Sequence, residues 1–378
     1  MSPERGVPSH AAPALLFDER DVGAARASHT LHAARDARRL PVIGEQKDIR
    51  YHASPAQSLL NGPETTGMDF WSINPYVGCA FGCAYCYARY AHRYTMERAG
   101  DGERGADVDG EPLPPWLAFE RRILVKREAP ALLRRALAGR SARVQRLLSG
   151  EEALVVGTAT DPYQPAERRF RVTRGVLEVL AEHPGLRVVI ITKSPLVARD
   201  VDVIARIARH SSMSVHVSLI TLDRALARRV EPRAPTPESR LRAVAQLAAA
   251  GVDVGVNCMP VLPGITDRPR DLAALVRAAA DAGASTVAAC ALRLQPAARD
   301  RYLPWLAAEF PALAARYRAT YARGHYAGDA YREGLHAYMT RLCERHGLRV
   351  REYSRDGASR ARAAMHDRPA GAQLSLGI

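Results

Sequence analysis

Lysine is almost missing from this sequence: among 378 residues there are three, Lys47, Lys126 and Lys193, beside 51 arginines. Against 40 acidic residues this gives a formal net charge of +14, a balance that favours a nucleic-acid or phosphate partner. Alanine is equally abundant, and a GC-rich genome imposes both excesses on any protein, so charge alone decides nothing and each lysine becomes conspicuous. Aromatics are scarce at 6%, and cysteines number six. Long uncharged apolar runs are absent, because Arg277, Asp281 and Arg293 interrupt the Ala-rich stretches before the roughly 18 residues of a membrane span. The start, MSPERGVPSHAAPALLFDER, lacks the charged-then-apolar layout of a signal peptide. A cytoplasmic protein without a membrane partner is therefore expected. Length and a 47% apolar content allow one large domain with appendages or two modest ones.

Residues 1–65 are polar, studded with Pro, Gly and His, and carry no sustained period; they read as an arm, partly disordered. A core domain is expected over 66–297, where six short β-rich runs alternate with helix-length segments. The runs are Trp71–Val77, Ala153–Thr158, Leu186–Lys193, Ser214–Ile220, Val252–Val261 and Ser285–Leu294. Helical patterns lie between them, over Ala84–Arg98, Arg127–Leu148 with a break near Gly139, Glu167–Glu182, Leu196–Ala208, Pro237–Ala250 and Asp267–Ala282. Strands apolar on both faces and separated by helices indicate a parallel sheet with right-handed crossovers. Six units fall short of an eight-unit barrel, and the pattern alone allows an open doubly wound sheet or a partial barrel. Two helices are expected within 298–348, over Asp300–Ala322 and Asp329–His346, and 349–378 reads as an Arg-rich flexible tail.

Three cysteines stand in NPYVGCAFGCAYCYARY as Cys79, Cys83 and Cys86, a C-x3-C-x2-C spacing. In a reducing compartment three thiols this close are metal ligands sooner than disulfide partners. Zinc usually takes two C-x2-C knuckles, and no second knuckle exists; thiolates select iron–sulfur clusters as readily, and a cubane normally has four cysteines. Three ligands would leave one iron open. Gly78 and Gly82 give the loop the freedom to wrap a cluster with its N–H groups toward the sulfurs. Cys258, Cys290 and Cys343 are isolated and read as small buried apolar residues, although the strand-end positions of Cys258 and Cys290 leave a hydrogen-donor role open.

This triplet, with the aromatic Tyr85 directly before its third cysteine, resembles the signature of the radical S-adenosylmethionine (SAM) superfamily. The resemblance implies a partial (β/α)6 barrel, a 4Fe-4S cluster on Cys79, Cys83 and Cys86, and S-adenosylmethionine chelating the fourth iron through its amino and carboxylate groups. It further implies one-electron cleavage of the C–S bond, hydrogen abstraction from a substrate by a 5′-deoxyadenosyl radical, and an electron donor such as flavodoxin or ferredoxin.

In parallel sheets and barrels chemistry gathers at the carboxyl ends of strands. There the sequence offers Thr158, Thr160 and Asp161 in GTATDPYQPAE, Lys193 and Ser194 in ITKS, and Ser218 in VSLITLD. These hydroxyls and carboxylate suit the ammonium and ribose of the cofactor, and Lys193 matches the superfamily's basic residue for the methionyl carboxylate. Glu231 and Arg233, in EPRAPTP, read as a structural ion pair or a further contact. Taken with PVLPGITD, these motifs are similar in order to the subgroup related to spore photoproduct lyase, often labelled DNA repair photolyases. The resemblance covers roughly Asp69 to Leu294. That lyase uses a cysteine hydrogen donor, and the position aligned with it here is Thr158, so thymine-dimer lyase activity is not expected although a nucleic-acid substrate is.

The sequence finishes GAQLSLGI, where Gln373, Leu374, Leu376 and Ile378 resemble the short peptide by which bacterial repair proteins dock on the DNA sliding clamp. It departs from the common Leu-Phe ending in having Gly377 and Ile378. The Arg-rich stretch from Arg345 to Arg368 leads into it and suits phosphate contacts.

Overall fold

The computed structural model describes residues 42–66, 68–89 and 115–350. Its strands, in chain order, are β1 (Val42–Gln46), β2 (Ile49–Ala53), β3 (Leu60–Asn61), β4 (Trp71–Ile73), β5 (Tyr76–Val77), β6 (Arg122–Val125), β7 (Ala153–Val156), β8 (Arg187–Thr192), β9 (Ser212–Ser218), β10 (Asp253–Val261), β11 (Thr286–Ala291) and β12 (Arg349–Val350). The larger sheet runs β12-β11-β10-β9-β8-β7-β4-β3. Every neighbouring pair from β4 to β12 is parallel, and only β3 joins antiparallel, covering one edge. The six expected core strands thus stand side by side in chain order with no reversal. A doubly wound sheet needs a reversal, so this order gives a singly wound, open barrel of the six expected strands, extended by β12 as a seventh parallel strand.

Alternation along these strands separates two faces. Ile73, Val156, Ile190, Val217, Val256 and Cys258 belong to the main apolar core under the helices. The opposite residues face the lumen: Asn74, Lys193, Ser218, Asn257 and Cys290, at or just past the ends of their strands. A closed eight-strand barrel fills its lumen with Val, Ile and Leu. Here Val155, Val189 and Ile191 occupy the same face deeper in the strands, and small and polar side chains are gathered at the carboxyl-end mouth.

Several expectations change. The run Trp71–Val77 splits, because Pro75 has no N–H to give a ladder: β4 stays in the large sheet, while β5 pairs with β6 in a second sheet of order β1-β2-β6-β5. The described part of the expected arm is folded, since Ile49 and Tyr51 anchor β2 against β6 in this small sheet. Glu167–Glu182 is two helices, Pro165–Phe170 and Val172–Leu180, divided at Arg171, which has φ +54°. Leu196–Ala208 opens as a 3-10 turn over Pro195–Asp200. Asp300–Ala322 is interrupted between Phe310 and Pro311, giving helices Pro296–Glu309 and Pro311–Thr320. The first residues of the expected tail form β12 beside β11. Within the expected Ala84–Arg98 helix, residues 84–88 are turn and loop, and the part beyond Arg89 lies outside the described residues, as does the clamp-like peptide with Gln373, Leu374, Leu376 and Ile378.

Beyond the barrel, the C-terminal helices pack over the strand ends. The Tyr317 hydroxyl donates to the Pro263 carbonyl (2.7 Å), Tyr321 to Leu292 (3.2 Å), and the Trp305 indole to Arg229 (3.1 Å). Their rings share a second apolar core with Cys79, Phe81, Cys83 and Tyr85. Among the described residues no helix is long and apolar enough to cross a membrane.

Candidate functional site

β5 delivers the chain from the small sheet straight into the cysteine loop. Gly78 turns with φ +82°, and a Cβ there would stand 2.7 Å from the Phe119 carbonyl oxygen, so only glycine fits. The Cys79 N–H then donates to that same carbonyl (2.9 Å). Buried Arg89 reaches back to donate to the Cys83 carbonyl (2.8 Å) while pairing with Glu120 (2.7 Å). On the other side Gln164 accepts from the Ala80 N–H (3.0 Å) and donates to the Gly78 carbonyl (3.1 Å). The loop is thereby held through its backbone, leaving the sulfurs for other work.

Cys79 and Cys83 are buried and Cys86 half-buried. Burial, with the charges of Asp161 and Cys86, pushes the Cys79 thiol up to about 12; backbone N–H groups of Phe81 and Asp161 bond its sulfur and oppose the shift. Burial likewise raises Cys83 well above the ordinary range, with Lys193 opposing. Such thiols ionise only opposite a strong local cation, which iron supplies. Among the described residues no three Cys, His, Asp or Glu side chains converge on one point as a single-ion site requires. Thiolates on separate corners of a cubane need not converge. The sulfur-directed N–H groups suit iron–sulfur ligation as well, so the donor set fits a cluster.

Facing the loop is a buried charge network. Glu231 accepts from the Tyr85 hydroxyl, pairs with Arg240, and lies 4.0 Å from the Lys193 ammonium. Lys193 also sits over the Tyr85 ring, 5.5 Å from its centroid. Burial would lower the lysine, but the Cys83 sulfur and the Glu231 carboxylate hold it above its ordinary value. Burial would raise Glu231, yet Arg240 and Lys193 hold it below the usual carboxylate range. Arg240 is 1% exposed and donates to the Ser218 carbonyl (3.0 Å). Two backbone bonds, Ala84 N–H to the Val230 carbonyl (2.9 Å) and Arg233 N–H to Phe81 (3.2 Å), clamp the same segment against the cysteine loop. The expected Glu231–Arg233 pair does not form: Arg233 reaches Asp48 (2.6 Å) instead, because Arg240, one helical turn into the next helix, is the guanidinium that faces Glu231.

The structure brings Tyr85, Lys193 and Ser218 together at the mouth with Cys83. Thr160, Asp161 and Ser194 also stand at the strand ends, where each bonds to neighbouring groups. Thr160 donates to the Gly78 carbonyl (2.6 Å). Asp161 accepts from the Tyr163 N–H (2.9 Å), the Thr192 hydroxyl (2.7 Å) and the Lys193 N–H (2.7 Å), tying the end of β8 to the loop after β7. Ser194 caps the turn that follows β8. Thr158 bonds with Ser72 (2.8 Å) and Asn74 (3.1 Å) in a polar group at the ends of β4 and β7. Cys258 and Cys343 are buried as expected, but Cys290 is exposed. Gln164, Arg240 and Asn74 were not singled out by sequence; only the proximity of Gln164 to the Asp-Pro turn marks it.

A family model described as the radical SAM superfamily matches residues 73–276, from the end of β4 through most of the Pro269–Asp281 helix. The chain belongs to the radical SAM superfamily. The chain is similar to an uncharacterized protein of Mycobacterium tuberculosis (strain ATCC 25618 / H37Rv), 36% identical over 79% of this chain and 82% of its own length. Another, from Methanocaldococcus jannaschii, is 27% identical over 52% of this chain and 61% of its own. Spore photoproduct lyase complexed with dinucleoside spore photoproduct superposes with a TM-score of 0.56 at 16% identity, covering 80% of this chain and 82% of that one. At that identity the likeness is one of fold.

Proposed function

We propose that this protein is a cytoplasmic radical SAM enzyme that holds a 4Fe-4S cluster on Cys79, Cys83 and Cys86 and acts, with S-adenosylmethionine, on a base of a nucleic acid. The observation that carries the reading is the cysteine loop clamped against Lys193, Ser218 and the Glu231–Arg240 pair at the polar mouth of the barrel. The bound cluster and S-adenosylmethionine would supply one-electron cleavage of a C–S bond and hydrogen-atom abstraction. The chain's own residues do the rest. Lys193, its charge maintained by Glu231, offers a cation to the methionyl carboxylate. Cys79 and Cys83 sit in an apolar second core that keeps water from the reacting atoms, and the barrel fixes which substrate hydrogen is presented.

Three observations support a nucleic-acid substrate: the fold shared with a lyase bound to a dinucleoside lesion, the net charge of +14, and a Tyr326 ring, 39% exposed, flanked by the guanidinium groups of Arg293 (5.3 Å) and Arg332 (5.0 Å). A base within a duplex would have to be flipped out to reach the lumen. Thr158, not cysteine, occupies the position aligned with that lyase's hydrogen donor, so the reaction is a different one. The C-terminal peptide with Gln373, Leu374, Leu376 and Ile378 would recruit the enzyme to the sliding clamp, and a flavodoxin or ferredoxin would supply the electron.

The substrate reading is tested by measuring 5′-deoxyadenosine formed by the reconstituted protein with intact, irradiated and single-stranded DNA and with RNA. A nucleic acid that raises the yield several-fold supports it. A yield that stays flat across all of them, yet rises with a peptide or small-molecule fraction, overturns the nucleic-acid part.

A further inference from the structure

Three carboxylates flank the cysteine loop, and each is shared by two cations. Glu231 has Arg240 and Lys193. Asp48 has Arg121 (3.1 Å) and Arg233 (2.6 Å), and Glu120 has Arg89 (2.7 Å) and Arg301 (3.6 Å). Each set thus carries one surplus positive charge, of which Asp161, beside Cys79, offsets one. Apart from the Lys193 set, the surplus at Glu120 is the better shielded from water. Arg89 and Glu120 are buried and the Arg301 side chain is 19% exposed, against 31% and 33% for Arg233 and Asp48. Screening therefore weakens the Asp48 set more than the Glu120 set.

Arg89 holds the loop through the Cys83 carbonyl (2.8 Å); Arg301 has no such duty. It reaches in from the Pro296–Glu309 helix and lies over the Trp116 ring, 4.7 Å from its centroid. Its Nε is enclosed without a hydrogen-bond partner. Burial holds the guanidinium below its ordinary value, with Glu120 opposing and Arg89 pushing the same way. Burying a charge without its counterpart is costly, and an apolar side chain would pack on Trp116 without that cost. The cysteine loop supplies the counterpart. Glu120, which Arg301 shares with Arg89, stands 2.9 Å from where a Cβ of Gly82 would be, directly behind the loop. A cubane on three thiolates is anionic, and reduction adds a further negative charge; net charge and burial are among the levers that set its potential. A fixed cation behind the loop favours the more negative, reduced state.

We propose that Arg301 is a positioning residue for the redox step: acting across the Arg89–Glu120 pair, its surplus charge stabilises the reduced cluster and raises its reduction potential. One electron passes from an external donor, a reduced flavin or iron–sulfur protein, to the cluster, and no covalent bond changes. This rests on the proposed function and adds control of its first step. The test uses the full chain, anaerobically reconstituted, in a redox titration followed by electron paramagnetic resonance without S-adenosylmethionine. Arg301→Met is expected to keep its iron but to be harder to reduce. At the midpoint potential of the wild type its ratio of reduced to oxidised cluster should fall about tenfold, equivalent to about 59 mV for one electron. Arg301→Lys, which keeps the charge, should titrate close to the wild type. A fully loaded Arg301→Met with the wild-type midpoint would overturn the assignment and leave the proposed function standing. So would an Arg301→Lys shifted as far as Arg301→Met, since charge would then not be the cause. A wild type whose bound iron gives no reducible cubane signal would overturn both. Should Arg301→Met fail to fold or to load iron, Arg301→Gln, whose planar amide can still cover Trp116, decides by the same titration.

Discussion

Glu231 concentrates the electrostatics of the site into one carboxylate. It is 1% exposed and answers to Arg240, Lys193 and the Tyr85 hydroxyl together. Removing one partner of such a buried set leaves uncompensated charge, at about 3–5 kcal/mol. Glu231→Ala should therefore lower stability by that order in denaturant unfolding, and Glu231→Gln by less. The pair also sets an acid limit. Because Glu231 is held below its unfolded value of 4.5, the stability it contributes is complete above that pH and is lost as pH falls through the folded value. Wild type and Glu231→Gln should converge in stability as the solution is acidified, and a constant gap would contradict this.

Lys126 shows the opposite sign, since burial lowers it from 10.5 to about 8. Its cost to the fold is full below pH 8 and disappears as pH rises toward 10.5. Lys126→Met should raise Tm by a few °C at pH 7 and have a smaller effect at pH 10, as read by thermal unfolding at both. At this scale the sequence is a good guide to identity and a poor one to pairing. Lys193 could be found because lysine is so rare, but nothing in EPRAPTPESR distinguishes Arg233 from Arg240 as the partner of Glu231. That choice is made by the turn into the Pro237–Ala249 helix.

Elements deliver these residues, and the handover at Pro75 matters most. β4 carries Asn74 to the lumen and β5 carries the chain into a second sheet, so the cysteine loop is suspended between the barrel and the small sheet rather than at the tip of one strand. The pivot is Gly78. With φ +82° and the Phe119 carbonyl 2.7 Å from where a Cβ would sit, Gly78→Ala should displace Cys79 and reduce iron bound after reconstitution, while far-UV circular dichroism stays near the wild type. Full iron loading of the variant would refute that role. The six barrel strands were legible, because each lies in an apolar run of six to ten residues set between helix-length segments, whereas the short helices Pro115–Arg121 and Arg224–Val230 were not. The small sheet was not: β1, β2, β5 and β6 are two to five residues each, too short for alternation to emerge from the polar sequence around them. The breaks at Arg171 and Phe310 were hidden as well, since a continuous helical pattern runs through both.

The whole molecule is a barrel left open on one side, with C-terminal helices drawn over its mouth by Trp305, Tyr317 and Tyr321. With a net charge of +14, the proposed binding to nucleic acid should be salt-dependent, with affinity falling linearly in log–log form as salt rises. Fluorescence anisotropy with a single-stranded oligonucleotide would follow it, and Tyr326→Ala should weaken binding by about 1–3 kcal/mol if the ring stacks a base. The proposed recruitment to the sliding clamp is tested separately: Leu374→Ala with Leu376→Ala should abolish the clamp binding that the proposal expects of the wild type in surface plasmon resonance and leave catalysis in solution unchanged, and a wild type that does not bind the clamp would overturn it. The central claim concerns the cysteine loop and is tested most directly by one assay. The protein is reconstituted with iron and sulfide under anaerobic conditions, reduced with dithionite in the presence of S-adenosylmethionine, and assayed for 5′-deoxyadenosine beside Cys83→Ala. The account predicts product from the wild type and none above background from the variant; a folded, fully clustered wild type that forms none would contradict it.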